Sequence, residues 1–284
     1  MKYGMNLLLW TGEMHEGMLP VLESIKAMGY DGVELPMFHL DVDNWAAWGK
    51  RLDQLGLQRT AVTVRGEADN PMSPDASVRK QGVALNRQAL DCCQAVGAET
   101  LLGPYHSALG LFSGSGPTAD EWKWAVESMQ QVAEHADKTG TTLAVEYLNR
   151  FETYLLNCAK DAVRFVHDVN HPRCRTMYDT FHANIEEKSI RQAIETIAPV
   201  LAHVHISEND RSTPGTGGIN WKESFDSLVA VGYDGWLVIE AFGLALPELA
   251  AATKIWRRMF DDELTLARQG LEFMRGEVHR RQGG

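Results

Sequence analysis

Four side chains of the kind that bind metal ions lie at the ends of four successive apolar segments. Glu146 follows Leu-Ala-Val, Asp179 follows Thr-Met-Tyr, His205 lies within AHVHIS, and Glu240 follows Leu-Val-Ile. A buried carboxylate is costly unless it is paired or coordinates a metal ion. Three carboxylates beside one imidazole would repel one another, so the set predicts a site for a divalent cation. Its oxygen-rich composition suits Mn²⁺, Mg²⁺ or Co²⁺ better than Zn²⁺.

A single acidic residue at a strand end has a simpler explanation. Such a residue is often solvated, or it caps the next helix by accepting a backbone N–H, as Asp179 could before Thr180. The repetition of a ligand-type residue on four successive segments favours the metal site over four separate structural roles.

The segment AHVHIS carries two histidines two positions apart. On a strand, His203 and His205 would point to the same face, because side chains alternate with a period of two. His205 lies nearer the strand end, at the level of the other three residues. We therefore predict that His205 is the ligand, and that His203 is a core histidine or supports the ligand from about 6 to 7 Å deeper along the strand.

The elements that must position these residues alternate along the chain. Short apolar or β-branched runs predict eight strands, at residues 3–9, 32–35, 59–64, 99–102, 142–147, 175–179, 202–207 and 236–240. Apolar residues at i, i+3 and i+4 predict helices between them, including residues 19–28, 78–96, 121–138, 161–169, 190–197 and 221–231. The phrase AMGYDG at 27–32 returns as AVGYDG at 230–235, which indicates a recurring unit of helix end, turn and strand.

Eight β-then-α units predict a (β/α)₈ TIM barrel, whose active sites lie at the C-terminal ends of the strands. We predict one barrel domain over residues 1–284, with C-terminal helices at 247–284 that cap the last unit or pack on a partner subunit. The main alternative is a doubly wound sheet, which needs a glycine-rich phosphate loop after its first strand. The stretch LWTGE at 9–13 does not provide one. No organic cofactor is predicted.

Composition limits the partners of the chain. Lys and Arg number 27 against 38 Asp and Glu, the net charge is −11, and no basic run is present. We therefore expect neither nucleic acid nor an anionic membrane as a partner. The four cysteines lack C-x-x-C spacing and are expected to be reduced thiols. The apolar run at residues 5–10 is too short for a signal peptide or a membrane span, so a cytoplasmic protein is predicted.

Over most of its length the sequence resembles the ketose 3-epimerases, the D-tagatose and D-allulose 3-epimerase group of the xylose-isomerase-like barrels. The matching strings are VEYLNRFE at 145–152, YDTFHANIEE at 178–187, HVHISENDR at 203–211 with PGTG after it, and VIEAF at 238–242. The resemblance implies a small ketose substrate, Mn²⁺ with Co²⁺ or Mg²⁺ as substitutes, and a homodimer or homotetramer.

The resemblance also implies individual roles. It assigns the metal to Glu146, Asp179, His205 and Glu240, proton transfer to Glu146 and Glu240, and the oxygens near C1 and C2 of the sugar to Glu152, His182 and Arg211. Inversion at C3 of a ketose removes a proton from one face and returns one to the other. Two glutamates on different sides of the barrel mouth could do this through a metal-stabilised enediolate.

Several residues around the expected barrel mouth have roles that the sequence leaves open. Trp10, at the end of the first predicted strand, is expected to cover the far end of the substrate. Phe242 and Phe151 either line an apolar wall near the sugar or are core aromatics. Asn6 and Met14 lie where the family often places other residues. The segment 103–117 is either a lid or an ordinary surface loop.

Other functions on the same barrel stay open. An isomerase that interconverts aldoses and ketoses, or acts on hydroxypyruvate, would use a similar metal. A nuclease of the endonuclease IV type is opposed by the charge of −11. A sugar-binding protein without activity is opposed by the presence of both candidate bases. The preferred ketose, and whether it is phosphorylated, do not follow from the sequence.

Overall fold

The computed structural model describes residues 1–282, which form a closed barrel of eight parallel strands surrounded by helices. The strands are β1 (Lys2–Asn6), β2 (Gly32–Pro36), β3 (Gln58–Val62), β4 (Thr100–Gly103), β5 (Thr142–Val145), β6 (Cys174–Asp179), β7 (Leu201–Ile206) and β8 (Trp236–Ile239). Each strand pairs with the next, and β8 closes onto β1 with Ile239 opposite Met5. The predicted TIM barrel is confirmed.

The helices follow the strands in alternation. They are α1 (Leu19–Met28), α2 (Val42–Leu55), α3 (Ala76–Val96), α4 (Ala119–Thr139), α5 (Ala159–Val169), α6 (Thr180–Glu186), α7 (Ile190–Ile197), α8 (Trp221–Ala230), α9 (Pro247–Thr253) and α10 (Glu263–Gln282). Gly29 and Gly97 end α1 and α3 with φ of 97° and 75°, because glycine adopts the left-handed conformation without strain. The predicted helices did not include α2 and α6.

The first strand is shorter than predicted. After Asn6 the chain enters a 3₁₀ turn at Leu7–Leu9. The side chain of Asn6 accepts the backbone N–H of Leu8 at 2.8 Å, and this local bond competes with continued extension. The prediction of strand over residues 7–9 was therefore wrong, and Trp10 follows a turn rather than a strand.

Alternation along the strands separates two apolar regions. Leu101 and Leu143 belong to the large core between strands and helices, whereas Leu102, Ala144 and Met177 belong to a smaller cluster inside the barrel. On β7, His203 and His205 face the inside of the barrel, where both contact Glu34. The barrel interior is therefore apolar on one side and polar on the other.

The C-terminal helix α10 completes the ring of helices between α8 and α1. Tyr30 donates from Oη to the carbonyl of Ala267 at 2.7 Å, which joins α10 to the end of α1. On its other side, Arg281 pairs with Asp226 of α8 at 2.6 Å. The helix thus occupies the position of the eighth barrel helix, in agreement with the predicted capping of the last unit. Within residues 1–282, no helix combines the length and apolar character that crossing a bilayer requires.

Candidate active site

The barrel brings Glu146, Asp179, His205 and Glu240 together. Asp179 and His205 are register partners on β6 and β7, while Glu146 and Glu240 directly follow β5 and β8. All four residues are buried, and each offers a ligand atom within 4.8 Å of the others. The four strand ends therefore converge on one point, as expected for ligand-type residues at the ends of successive strands.

His205 faces the acids with one ring nitrogen. Its Nδ1 lies 3.5 Å from Oδ2 of Asp179 and 3.5 Å from Oε1 of Glu240. The two carboxylate oxygens of Asp179 have different contacts. Oδ1 accepts the N–H groups of Phe181 and His182 at the start of α6, and Oδ2 faces the cluster. Both explanations of Asp179, helix cap and member of the polar cluster, thus apply to the same side chain.

The donor set fits a divalent cation. Oε1 of Glu146 and Nδ1 of His205 are buried and have no hydrogen-bond partner, an unfavourable state for groups with lone pairs. Burial and the charge of Glu240 raise the pKa of Glu146 well above its usual range. A cation contacting these oxygens and this nitrogen would satisfy the lone pairs that have no partner.

Arg211 lies beside this cluster and is the buried cation closest to it in the described chain. Its Nη1 donates to Oε2 of Glu240 at 2.6 Å and to Oγ of Ser207 at 3.1 Å, and it lies 3.3 Å from Oδ2 of Asp179. Burial by itself would raise the pKa of Glu240, but His205 and Arg211 outweigh burial and lower it. His205 and the guanidinium together favour the ionised form of Glu240.

A loop with an unusual backbone presents Arg211. The φ of Arg211 is 63°, in the left-handed region that residues with a Cβ rarely adopt. Beneath it, the buried carboxylate of Glu208 accepts N–H groups from both sides of the loop. Its donors are the backbones of Asn209, Gly215 and Ile219 and the indole of Trp221, at 2.9 to 3.2 Å. The sequence reasoning missed Glu208, although PGTG nearby signalled a tight loop.

His182 and Glu152 complete the polar floor. Nδ1 of His182 accepts the backbone N–H of Asn149 at 3.1 Å, and its Nε2 lies 3.7 Å from Oε1 of Glu146. Burial, followed by the charge of Arg211, lowers the pKa of His182 to about 3, so the ring is neutral. Asn149 also donates from Nδ2 to Oε1 of Glu152 at 2.8 Å.

A second polar group lies below the four predicted ligands. Glu34 on β2 is fully buried, and its carboxylate contacts Asn6, Thr60, His203 and His205 from the inside of the barrel. Burial alone would raise the pKa of Glu34, but the two histidines outweigh it and hold the pKa below its usual range. The sequence reasoning missed Glu34. An acid inside the apolar strand GVELP was the signal that could have found it.

An open cavity of about 660 Å³ lies above the floor. Its floor contains Glu146, Glu152, His182, Arg211 and Glu240, and its walls include Phe242 and residues of α9. Phe242 lies at the wall, as one of its two explanations expected. Phe151 fits neither of its explanations, because the turn at 149–152 leaves its side chain 72% exposed.

The segment after β1 lines the cavity with residues other than the expected Trp10. Leu8 and Gly12 line the cavity, whereas Trp10 is half-buried and packs against the outer core. Asn6 points into the barrel toward Glu34, and Met14 is buried in the outer core. From the segment 103–117, Pro104 and Leu109 reach the cavity wall.

Comparison with known proteins identifies the group to which this chain is similar. Residues 22–276 match the family model of the xylose isomerase-like TIM barrel. The chain is 32% identical over 261 residues to the D-psicose 3-epimerase of Agrobacterium fabrum, with 90% of each chain covered. It is 30% identical over 274 residues to the probable ketose 3-epimerase of Synechocystis sp., with 96% of each chain covered.

A solved structure agrees with these relatives. The D-psicose 3-epimerase of Clostridium cellulolyticum H10, determined with D-tagatose, superimposes with a TM-score of 0.88 at 30% identity, over 98% of this chain and 99% of that chain. The chain therefore belongs to the xylose isomerase-like TIM barrel family and, within it, to the ketose 3-epimerases, a group of the racemase and epimerase class.

Proposed function

We propose that this chain is a metal-dependent ketose 3-epimerase that inverts C3 of a free ketose. The observation that carries the proposal is the pairing of two glutamates within one buried donor set. Glu146 and Glu240 come from β5 and β8, which lie apart around the barrel, and both line the floor of the cavity. A carboxylate on each side of C3 is what removal and return of a proton on opposite faces requires.

The metal ligands in this proposal are Glu146, Asp179, His205 and Glu240. The oxygen-rich donor set favours Mn²⁺, with Co²⁺ or Mg²⁺ as substitutes. A bound cation would supply positive charge that polarises the ketone and increases the acidity of the C3 proton.

The residues of the chain carry the proton and hold the sugar. One of the two glutamates removes the C3 proton and the other delivers a proton to the opposite face, and their roles exchange in the reverse reaction. Arg211, His182 and Glu152 bind the oxygens near C1 and C2, where fixed hydrogen-bonding groups stabilise developing negative charge. Phe242 forms part of the apolar wall, and Trp10 supports the segment after β1 by packing against the outer core.

The substrate class follows from the distribution of polar groups. Among the described residues that line the cavity, Arg211 is the only basic side chain, and it is already paired with Glu240. A phosphorylated sugar would need further positive charge. This supports a free ketose of the D-tagatose, D-allulose or D-fructose, or L-ribulose type, in keeping with the D-psicose and D-tagatose named for the relatives.

The remaining expectations belong to the same proposal. They are one barrel domain over residues 1–284, assembly as a homodimer or homotetramer, and a cytoplasmic location. Light scattering coupled to size-exclusion chromatography tests the assembly directly.

Product analysis tests the reaction. Metal-stripped protein is restored with Mn²⁺ and incubated with D-tagatose, D-fructose, D-allulose and L-ribulose, and the products are resolved by NMR. We expect the C3 epimer of at least one ketose, and no product without metal. Formation of an aldose would indicate hydrogen transfer between C1 and C2 and favour the rival isomerase. No conversion of any ketose would contradict the proposal.

A further inference from the structure

Glu34 lies directly beneath the proposed metal centre. It occupies the middle of β2, where its neighbours Val33 and Leu35 pack in the outer core while Glu34 points into the barrel. Its side chain has no exposed surface. A buried acid in a barrel layer that apolar side chains could fill requires a specific reason.

Hydrogen bonds from two neighbouring strands fix the carboxylate in place. Oε1 of Glu34 accepts from Nδ2 of Asn6 at 2.8 Å, and Oε2 accepts from Oγ1 of Thr60 at 2.9 Å. The orientation of the Asn6 amide is set independently, because its Oδ1 accepts the backbone N–H of Leu8. The Asn6 amide nitrogen must therefore face Glu34.

The imidazole of His205 connects this carboxylate to the donor set above. Its Nε2 lies 2.8 Å from Oε1 of Glu34, while its Nδ1 faces Asp179 and Glu240. An ionised carboxylate can only accept hydrogen bonds, so the hydrogen of a neutral His205 resides on Nε2. The lone pair on Nδ1 is then available at the point where the four ligand atoms converge.

His203 encloses the pair from below. Its Nε2 lies 3.1 Å from Oε2 of Glu34, and its ring meets that of His205 edge to face at a centroid distance of 5.2 Å. The two histidines on one face of β7 thus have different tasks. His205 reaches upward to the donor set, and His203 contacts the carboxylate beneath it.

We propose that Glu34 is a positioning residue for the metal ion, which holds His205 in the tautomer and ring orientation that present Nδ1 to the cation. The inference rests on the proposed metal-dependent function. Carboxylates that accept the second N–H of a ligating histidine increase its basicity, and their removal commonly lowers metal affinity by about 10- to 100-fold. Asn6 and Thr60 hold Glu34, and Glu34 holds His205.

The variant Glu34→Gln tests this relationship with little change in shape. The amide oxygen can take the place of Oε1, where Asn6 and Nε2 of His205 both donate, with the amide nitrogen toward Thr60 and His203. The variant therefore keeps the contact to His205 but removes the negative charge that increases the basicity of the imidazole. We expect the dissociation constant for Mn²⁺, measured by the electron paramagnetic resonance of free Mn²⁺ during titration of metal-free protein, to rise by about 10- to 100-fold. We also expect the visible absorption of bound Co²⁺ to change, because the histidine ligand changes.

A matched pair of variants covers the possibility that Glu34→Gln fails to fold. Thr60→Val removes one donor to Glu34, whereas Thr63→Val removes a buried bond from the same segment to the carbonyl of Met37, away from Glu34. We expect Thr60→Val to weaken Mn²⁺ binding severalfold and Thr63→Val to leave it unchanged.

The outcomes separate this inference from the proposed function. Wild-type affinity and an unchanged Co²⁺ spectrum in folded Glu34→Gln, or equal effects of the two threonine variants, would overturn the role of Glu34 while leaving the metal centre intact. Binding of two Mn²⁺ ions per chain would also overturn it, because Glu34, His203 and His205 would then form a second metal site. Absence of Mn²⁺ binding by the wild-type protein would overturn the metal centre and the inference together.

Discussion

Arg211 donates a hydrogen bond from Nη1 to Oε2 of Glu240 at 2.6 Å, and both side chains are buried. The guanidinium also contacts two aromatic rings, 3.8 Å from the ring centroid of Phe181 and 5.1 Å from that of Phe242. A planar group with five N–H donors can satisfy the carboxylate and both rings at once. The contact ties the proposed sugar-binding cation to one of the two proposed proton-transfer residues.

Replacement of Arg211 by lysine should therefore impair the reaction while preserving the charge. We expect kcat/KM to fall by about 10²- to 10³-fold, the magnitude associated with loss of one fixed donor at a developing negative charge. Steady-state kinetics with the best ketose measures the effect. Arg164→Lys is the matched control, because Arg164 stacks on Trp122 at 4.1 Å but lies exposed on α5. Equal losses in both variants would contradict a specific role for Arg211.

Glu208 should act on Arg211 through the loop. Each carboxylate oxygen of Glu208 accepts two N–H groups. In Glu208→Gln, the amide nitrogen replaces one of these oxygens in either orientation of the side chain, so it would face two N–H donors. We expect the free energy of unfolding to fall by about 1 to 3 kcal/mol, together with a decrease in kcat/KM.

The matched control for Glu208 is Glu223→Gln. Glu223 lies at the exposed start of α8 and accepts from the side chain of Asn220. We expect its effect on the free energy of unfolding to stay within about 0.5 kcal/mol. Urea denaturation and kinetics on both variants measure the difference. Unchanged kcat/KM in Glu208→Gln would show that the loop keeps Arg211 in place without this carboxylate.

The sequence predicted the barrel and the four converging residues because each depended on a local pattern. Composition marks the ends of the strands: Asp179 and His205 lie in the last residues of β6 and β7, and Glu240 directly follows β8. Glu34 is marked in the sequence as an acid within the apolar run GVELP, but its role depends on contacts with Asn6 and His205 from other strands. Long-range contacts of this kind leave no periodic signal within a single strand.

Two errors near the barrel mouth have local causes. The side chain of Asn6 caps a 3₁₀ turn, so the chain leaves the strand early and Leu8, instead of Trp10, reaches the cavity. At Phe151, the turn begun by Asn149 directs the ring outward, where it is exposed. Hydrogen bonds from side chains to the backbone stabilise such turns, and the hydrophobic pattern of the sequence does not predict them.

Metal binding should stabilise the fold, because Oε1 of Glu146 and Nδ1 of His205 are buried without a partner when no cation is bound. At a concentration of Mn²⁺ about 100 times the dissociation constant, binding to the native state adds about 2.7 kcal/mol. For a chain of 284 residues we expect the melting temperature to rise by about 4 to 5 °C. Calorimetry on metal-free and restored protein measures this shift.

The control for this stabilisation is Asp179→Asn. Oδ1 can still cap α6 in that variant, but the charge of the oxygen that faces the donor set is lost. We expect a smaller rise in melting temperature on addition of Mn²⁺. An equal rise in the variant, or no rise in the wild-type protein, would contradict the assignment of Asp179 to the metal.

His106 should make the protein sensitive to acid. Burial lowers the pKa of His106 from 6.5 to about 4, and its Nε2 lies 2.7 Å from the backbone carbonyl of Glu146. The unfolded chain takes up this proton below pH 6.5 while the folded chain does not. Stability is therefore lost as the pH falls from 6.5 toward 4, by up to about 3 kcal/mol.

The variant His106→Gln isolates this contribution. Glutamine keeps a donor for the carbonyl of Glu146 but does not titrate, so we expect a shallower loss of stability between pH 6.5 and 4. Urea denaturation of each protein at several pH values gives the two slopes. Parallel slopes would show that His106 does not remain neutral in the fold.

Deuterium exchange at C3 tests the central claim most directly. Mn²⁺-restored wild-type protein and Glu240→Gln are incubated with a free ketohexose in D₂O, and the label is located by NMR. We expect label at C3 of both epimers with the wild-type protein, and a loss of exchange of about 10²- to 10⁴-fold in Glu240→Gln, which still binds part of the Mn²⁺. Wild-type exchange in Glu240→Gln, or label at C1 or C2 in place of C3, would contradict the account.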